Sequence, residues 1–129
     1  MTVDAIEFVI EFLRTRPTIP RDAVRGDMTE HTTGATTVYL EHSGGYRVVR
    51  DCMDRVDIEY EVYALDRKRC IDLALLVRQE VLENLPGQII AGAEVLDAGE
   101  ISAPTYIPDT ESREHVYGGE VSVFYTPYP

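Results

Sequence analysis

The segment from Arg55 to Ala64 constrains the fold of this chain more than any other part of the sequence, because apolar residues occupy every second position along it. Successive side chains of a β-strand point to opposite faces of a sheet, so this spacing predicts a strand with one buried and one hydrated face. The apolar face consists of Val56, Ile58, Tyr60, Val62 and Ala64. The polar face consists of Arg55, Asp57, Glu59 and Glu61. The apolar face needs a second layer to cover it.

Two amphipathic helices are predicted, and they provide that layer. The first spans about Val3 to Leu13, with apolar residues at helical spacing and Thr2 as its N-cap. The second begins after the cap Asp66 and continues to about Leu85, where Pro86-Gly87 ends it.

Each predicted helix has an apolar arc wider than one sheet face usually covers. The residues that widen the two arcs are Phe8, Phe12, Ile71, Leu75 and Leu82. For the two phenylalanines, packing in the core and contact with another subunit both remain open. The second helix needs the sheet and one further surface to cover its arc.

Alternating side chains also predict two strands before the central one. They lie at about residues 35–42 and 46–50, and Ser43-Gly44-Gly45 between them has the permissive backbone of a hairpin turn. Residues 21–28 have room for one short strand.

Two strands are predicted in the last third of the chain, at about residues 93–102 and 116–125. The long polar loop Ala103–His115 joins them. Gly118-Gly119 predicts a bulge or kink in the final strand. With 129 residues, the chain is expected to form a single α+β domain over residues 1–129. Its antiparallel β-sheet of about four to five strands packs against two α-helices, in the order α-β-β-β-α-β-β.

Acidic residues outnumber basic ones, and the imbalance is concentrated in one part of the chain. There are 12 Lys and Arg against 23 Asp and Glu, which gives a formal charge of −11. Residues 79–129 contain nine acids and a single base, Arg113. Such a surface repels phosphate, so specific binding of nucleic acid is disfavoured. The longest apolar run, Leu73 to Val77, is far shorter than the ~20 residues of a membrane span, and no membrane partner is expected.

The sequence contains no recognisable catalytic, cofactor-binding or metal-binding motif. The histidines and cysteines lack the spacing of metal ligands, and there is no nucleophile elbow or glycine-rich phosphate loop. Asp51, Asp54 and Asp57 recur at every third residue, but a solvated turn leading into a strand is favoured over a cation site. We therefore expect no enzymatic activity, cofactor or bound metal. The histidines and cysteines are His31, His42, His115, Cys52 and Cys70.

What the sequence does offer is surface suited to self-association. Eight Tyr and three Phe, the wide helical arcs and a sheet with open edges are typical of a protein that binds copies of itself. A head-to-tail contact that closes on itself produces a ring. An assembly module is therefore predicted.

The order of several short motifs resembles the tail-terminator proteins of long, non-contractile-tailed bacteriophages. An N-terminal helix ends in Leu13-Arg14, a strand is followed by Gly44-Gly45, and a strand begins at Asp54-Arg55 and ends at Tyr63-Ala64. A helix from Arg67 and two closing strands complete the order. The resemblance covers most of the chain.

This resemblance implies a structural virion protein with no catalytic residues. It implies a homo-oligomeric ring, commonly a hexamer, that is assembled in the host cytoplasm and lies in the tail-neck region of the virion. The ring caps the tail tube, stops its polymerisation and presents a surface to the head connector. The expected partners are therefore other copies of the chain, the tail-tube protein and the head-connector or head-closure protein.

DNA passes through such a ring without specific binding, and acidic walls suit that passage. Six copies would carry −66, six times −11, which is hostile to phosphate binding. The acids expected to face the lumen are Asp57, Glu59, Glu61, Asp109, Glu111 and Glu114. The residues expected at the subunit interface are Phe8, Phe12, Ile71, Leu75, Leu82, Tyr106 and Ile107.

Two alternatives remain open at this point. One is another ring of the head-tail connector, such as a head-closure protein. The other is a small α+β enzyme or ligand-binding domain with Tyr39, Tyr60 or Tyr63 as pocket walls. A deep, enclosed pocket with convergent polar groups would favour the second alternative.

Overall fold

The computed structural model describes residues 3–50, 52–108 and 114–128, and it contains two helices against one face of a six-stranded sheet. The helices are α1 (Ala5–Arg14) and α2 (Arg67–Gln79), and α2 continues into a π-helical turn at Glu80–Asn84. A short 3-10 turn occupies Arg21–Ala23. The strands are β1 (Val24–Arg25), β2 (Thr37–Val49), β3 (Met53–Ala64), β4 (Ile89–Ile90), β5 (Ala93–Tyr106) and β6 (His115–Pro127). The predicted α+β class is confirmed.

The sheet differs from the predicted one in strand number and in pairing. Its order is β1-β2-β3-β6-β5-β4, and β1 runs parallel to β2 while every other pair is antiparallel. The expected antiparallel sheet of four to five strands is therefore a mixed sheet of six. The two outermost strands have only two residues each, too few for side-chain alternation to reveal, although β1 does lie inside the segment 21–28.

The predicted hairpin at Gly44-Gly45 is wrong, because β2 continues through both glycines as one strand. Their φ angles are +143° and +124°, and the register with β3 shifts between His42 and Gly44. A Cβ on Gly45 would lie 2.2 Å from the carbonyl oxygen of Arg55. The glycines therefore permit a bulge that brings β2 close to β3. The chain instead reverses after Val49, whose carbonyl accepts a hydrogen bond from Cys52 N.

Gly118-Gly119 does not interrupt β6 as predicted. The register between β3 and β6 is continuous there, with Tyr60 opposite Gly119, and the irregularity lies in β5 between Ser102 and Thr105. A Cβ on Gly119 would lie 2.4 Å from the Tyr60 hydroxyl oxygen. This glycine therefore makes room for a tyrosine ring that crosses β6. Because β5 extends to Tyr106, the connection to β6 is also shorter than the predicted loop 103–115.

Both helices begin at an aspartate cap. Asp4 accepts a hydrogen bond from Ile6 N at 2.9 Å, so Asp4 is the N-cap of α1. The predicted cap Thr2 lies outside the described residues. Asp66 caps α2 as predicted, accepting from Arg69 N. Within the described ranges, no helix is both long and apolar enough to span a membrane.

The core lies between the two helices and the apolar face of the sheet. Phe8 of α1 contacts Tyr125 of β6 edge-to-face, with ring centroids 4.9 Å apart. The Cys70 thiol of α2 donates a hydrogen bond to the carbonyl of Val62. The other face of the central strands carries no helix, and the candidate site lies there. The largest fully buried side chains are Tyr60, Phe8, Phe12, Leu13, Leu40, Ile58, Leu85, Val9, Val24, Val38, Val62 and Val77.

Candidate functional site

The side of β2, β3 and β6 that no helix covers is the open face. It carries a row of carboxylates across these three strands. Glu41 of β2 lies directly opposite Glu59 of β3, and Glu59 lies directly opposite Glu120 of β6. Glu61 follows on the same face of β3. Side chains that are directly opposite each other in an antiparallel pair are nearest neighbours, so these acids form a continuous negative strip.

The electrostatics of this strip follow from its crowding. Desolvation of its carboxylate in this crowded strip, followed by the charges of Glu120, Glu41 and Glu61 in that order, raises the pKa of Glu59. Burial, followed by the charges of Glu41 and Glu61, raises the pKa of Tyr39 beside them. Each group is held in its neutral form to a higher pH than usual. The strip therefore repels anions and resists the addition of further negative charge.

Hydroxyl groups on and beside the strip donate hydrogen bonds to its carboxylates. The Tyr63 hydroxyl donates to Glu61 Oε2 at 2.6 Å, and the Ser43 hydroxyl donates to Glu120. These bonds fix carboxylate orientation without neutralising charge. The arrangement keeps the strip negative and ordered.

Three glutamates of the strip have carboxylate oxygens close enough together to hold a metal ion. Single ligand atoms of Glu41, Glu59 and Glu61 all lie within 4.8 Å of one another. Exposed acids often cluster without an ion, and two of these three are exposed. These three glutamates are therefore an acidic surface.

Two of the three aspartates considered as cation ligands, Asp54 and Asp57, do not converge in the structure. Asp54 and Asp57 lie on opposite faces of β3, and Asp57 binds Arg55 with Nε to Oδ1 at 2.9 Å. Asp51 lies outside the described residues.

The cationic side chain of Arg55 lies on the open face near the start of β3. The Arg55 guanidinium lies 5.2 Å from the centroid of the Tyr46 ring and 5.9 Å from that of Phe124. Its bond to Asp57 raises the pKa of Arg55 further, so it remains charged. These cation–π contacts link β2, β3 and β6 at this end of the open face.

The six acids expected in the lumen divide into three groups. Asp57, Glu59 and Glu61 lie on the open face. Glu114 does not, because it is 5% exposed and its Oε2 lies 3.0 Å from His31 Nε2. Its carboxylate also accepts from Gly34 N at 3.3 Å, so Glu114 tethers a loop inside the protomer. The remaining two, Asp109 and Glu111, lie outside the described residues.

The residues expected at subunit contacts also divide. Phe8 and Phe12 are 0% and 2% exposed, so both belong to the core, the first of their two possible roles. On α2, Leu75 is 43% exposed, while its predicted companions are half-buried. At the end of β5, Tyr106 is 51% exposed and Ile107 follows it at the surface. The half-buried companions are Ile71 and Leu82.

The three tyrosines considered as pocket walls do not line one common, enclosed pocket. Tyr60 is in the core, where burial raises its pKa to about 12, whereas Tyr39 and Tyr63 lie on the open face. A depression of about 550 Å³ lies between α1 and β2, and its lining includes Asp4 and His42, which face each other at 3.3 Å. This cleft is wide and open to solvent. Tyr39 and Glu41 also line this cleft.

Sequence reasoning missed two members of the acidic row, Glu41 and Glu120. Glu41 lies within the strand predicted at residues 35–42, and the alternation there predicts it on the polar face. What the sequence could not provide was the register that aligns both residues with Glu59.

The comparisons with known proteins establish a shared fold. No family model matches the sequence, and no curated protein matches it. Among solved structures, the chain is similar to a chain from a structure described as the virion of a native gene transfer agent particle, with a TM-score of 0.73. The two are 9% identical, and the likeness covers 95% of this chain and 94% of the other. At this identity, the likeness concerns the fold over nearly the whole of both chains.

Proposed function

We propose that this chain is a structural virion protein that acts as a tail terminator of a long-tailed bacteriophage. It forms a ring with other copies of itself, caps the tail tube and offers a docking surface for the head connector. The observation that carries the proposal is the shared fold with a virion chain, which covers nearly all of both proteins. The motif order of the sequence points to the same class of protein.

The acidic strip on the open face supports a role beside moving DNA. A surface that binds DNA releases counterions from phosphate through Lys and Arg, so its affinity depends steeply on salt. The open face instead aligns Glu41, Glu59 and Glu120, with Glu61 alongside. Lining the hole of a ring with this face lets DNA slide without attachment.

The exposed apolar side chains provide contact surfaces between subunits or with the tail tube. Leu75 on α2 and Tyr106 at the end of β5 are each exposed by two-fifths or more. Burial of such groups in an interface contributes roughly 25 cal/mol per Å² of apolar surface. We assign Leu75, Tyr106 and Ile107 to these contacts.

The test is a tube-capping assay with purified chain and tail tubes of the phage that encodes it. Negative-stain images are expected to show a ring at one end of each tube, and added chain should halt tube growth. Leu75→Ser is expected to weaken capping. Leu65→Ser is a matched control, since Leu65 is a leucine of 61% exposure outside the assigned contacts.

Two outcomes would refute the assignment. Tubes that grow unchanged in the presence of excess folded chain would exclude a terminator. Rings that bind isolated heads but ignore tube ends would instead identify a head-closure protein.

A further inference from the structure

Both edges of the sheet are largely unpaired. The outer side of β2 pairs with β1 only at Val38 and Tyr39. The outer side of β5 pairs with β4 only at Ala93 and Glu94, and Val95 also bonds to the segment before β4. No other strand within the described residues covers either edge. A long open edge presents backbone N–H and C=O groups that can pair with another chain.

Each open edge contains one regular stretch between two register shifts. On β2 the shifts flank Gly44–Arg47, and on β5 they flank Asp97–Glu100. The two stretches have equal length, and every residue in the β2 stretch is exposed. Beyond the β5 stretch, Pro104 lacks a backbone N–H and limits further pairing. The two edges are therefore matched in length and regularity.

Strand direction favours pairing one edge with the other. The strands β2, β3, β6 and β5 alternate in direction, so β5 runs opposite to β2. A rotation about an axis along the strands keeps the direction of every strand. The β2 edge of one copy would therefore meet the β5 edge of the next copy in antiparallel fashion, which continues the alternation around the ring.

Charge favours the same alignment. Arg47 lies near the end of β2 and Arg50 directly follows the strand, and both are exposed, whereas β5 carries Glu94 and Asp97 near its start. Antiparallel pairing brings these opposite charges to the same end of the junction. It also brings together exposed apolar side chains of the two edges, since Val49 is 47% and Leu96 is 45% exposed.

Side-chain orientation narrows the register. Tyr46 and Gly99 belong to the open face, because Tyr46 lies opposite Arg55 and Gly99 lies opposite Ser122. Their neighbours Arg47 and Ala98 therefore point to the helix side. Directly opposed residues share a face, so Tyr46 can oppose Gly99 while Arg47 opposes Ala98. A glycine opposite the aromatic ring leaves space for a side chain that is 59% exposed in the protomer.

We propose that copies of this chain assemble by antiparallel pairing of the β2 edge of one copy with the β5 edge of the next, with Tyr46 opposite Gly99. The inference rests on the proposed ring and specifies its subunit interface. The helices cover only one face of the continued sheet. The outside of a ring has a longer circumference than the inside, so the bulky helix layer lies on the outside. The open face, with its acidic strip, then lines the hole.

Cysteine cross-linking tests this interface directly. In a Cys52→Ser background, one chain carries Arg47→Cys and a second chain carries Ala98→Cys. Opposed residues in antiparallel strands have Cα atoms about 4.5–5.5 Å apart, which a disulfide spans. Mild oxidation of the mixture is expected to give a covalent dimer on a non-reducing gel, and neither chain alone should do so. A chain carrying both cysteines should give a ladder that ends at the ring size.

One further cysteine pair is a negative control for the register. Another is a second positive pair, in case a variant of the first pair fails to fold. Tyr46→Cys with Ala98→Cys places the thiols on opposite faces and should not cross-link. Tyr46→Cys with Gly99→Cys should cross-link if the register is correct. Circular dichroism melts verify that each variant folds.

The outcomes separate this interface from the proposed function. Cross-linking of Arg47→Cys chains with one another would mean that β2 pairs with β2, which overturns the inference. Rings that cap tubes without cross-linking at either pair would overturn the interface but leave the terminator role intact. Cross-linked rings that never bind tube ends would support the interface and refute the terminator role. A folded chain that remains monomeric at every concentration, and with tubes present, would overturn both.

Discussion

Replacement of Phe8 by alanine tests whether the first helix belongs to the core or to a subunit contact. The Phe8 side chain is 0% exposed and packs edge-to-face on Tyr125. Loss of its burial costs about 1.5–3 kcal/mol, the aromatic contact adds about 0.5–1.5 kcal/mol, and the residual cavity adds more. We expect Phe8→Ala to reduce the free energy of unfolding by about 3–5 kcal/mol.

Urea unfolding followed by circular dichroism measures this loss, and Leu75→Ala is the control. Leu75 is 43% exposed on α2, so its truncation should cost about 0.5–1 kcal/mol or less at low chain concentration. The m-value should remain the same in both variants if unfolding is two-state. A thermal midpoint lowered by about 12–20 °C is expected for Phe8→Ala.

The dependence on chain concentration separates the two roles of Phe8. A core residue lowers stability equally at every concentration. A contact residue lowers it only where copies associate, because association stabilises the folded state by mass action. A loss below about 1 kcal/mol for dilute Phe8→Ala would refute the core assignment.

Three further predictions concern the open face, the Glu114–His31 pair and Gly119, which lies opposite Tyr60. The pKa of Glu59 is raised above its ordinary 4.5, so its ionisation destabilises the fold as pH rises through the raised value. Between about pH 4 and 7, the unfolding free energy measured by urea titration should therefore fall less with rising pH for Glu59→Gln than for the wild type. The same dependence on pH in both proteins would contradict this. Glu114→Ala leaves His31 and a backbone N–H without this partner and should cost about 1–3 kcal/mol in thermal melts, whereas a neutral effect would contradict the tether. Gly119→Ala places a Cβ 2.4 Å from the Tyr60 hydroxyl and should destabilise by about 1–3 kcal/mol, with Tyr60→Phe restoring part of the loss in a double-mutant cycle. Purely additive effects would refute the clash.

The sequence predicted the elements whose side chains repeat regularly. The alternation at Arg55–Ala64 gave β3 and both of its faces, and Asp66 with Pro86 bounded the second helix. Both features are local, so one sequence suffices to recognise them. The α+β class followed from their order.

The errors arose where local sequence permits two structures. The positive φ angles at Gly44-Gly45 suit a hairpin turn or a bulge, and only the close approach of the Arg55 carbonyl selects the bulge. The strands β1 and β4 have two residues each, so neither could show a period. Phe8 became a core residue because Tyr125, distant in the sequence, packs on it.

The alignment of Glu41, Glu59 and Glu120 bears on function because it does not help the protomer to fold. Like charges directly opposite each other in a sheet are destabilising, and the pKa of Glu59 is raised first by desolvation of its carboxylate and then by the charges of Glu120 and Glu41. A stable solvent-facing sheet would instead place opposite charges in these pairs. The cost is understandable if the negative face is required by something outside the protomer. Lining the hole of the proposed ring, through which DNA would pass, would be such a requirement, and pairing of the two matched edges would let copies of the sheet enclose that hole.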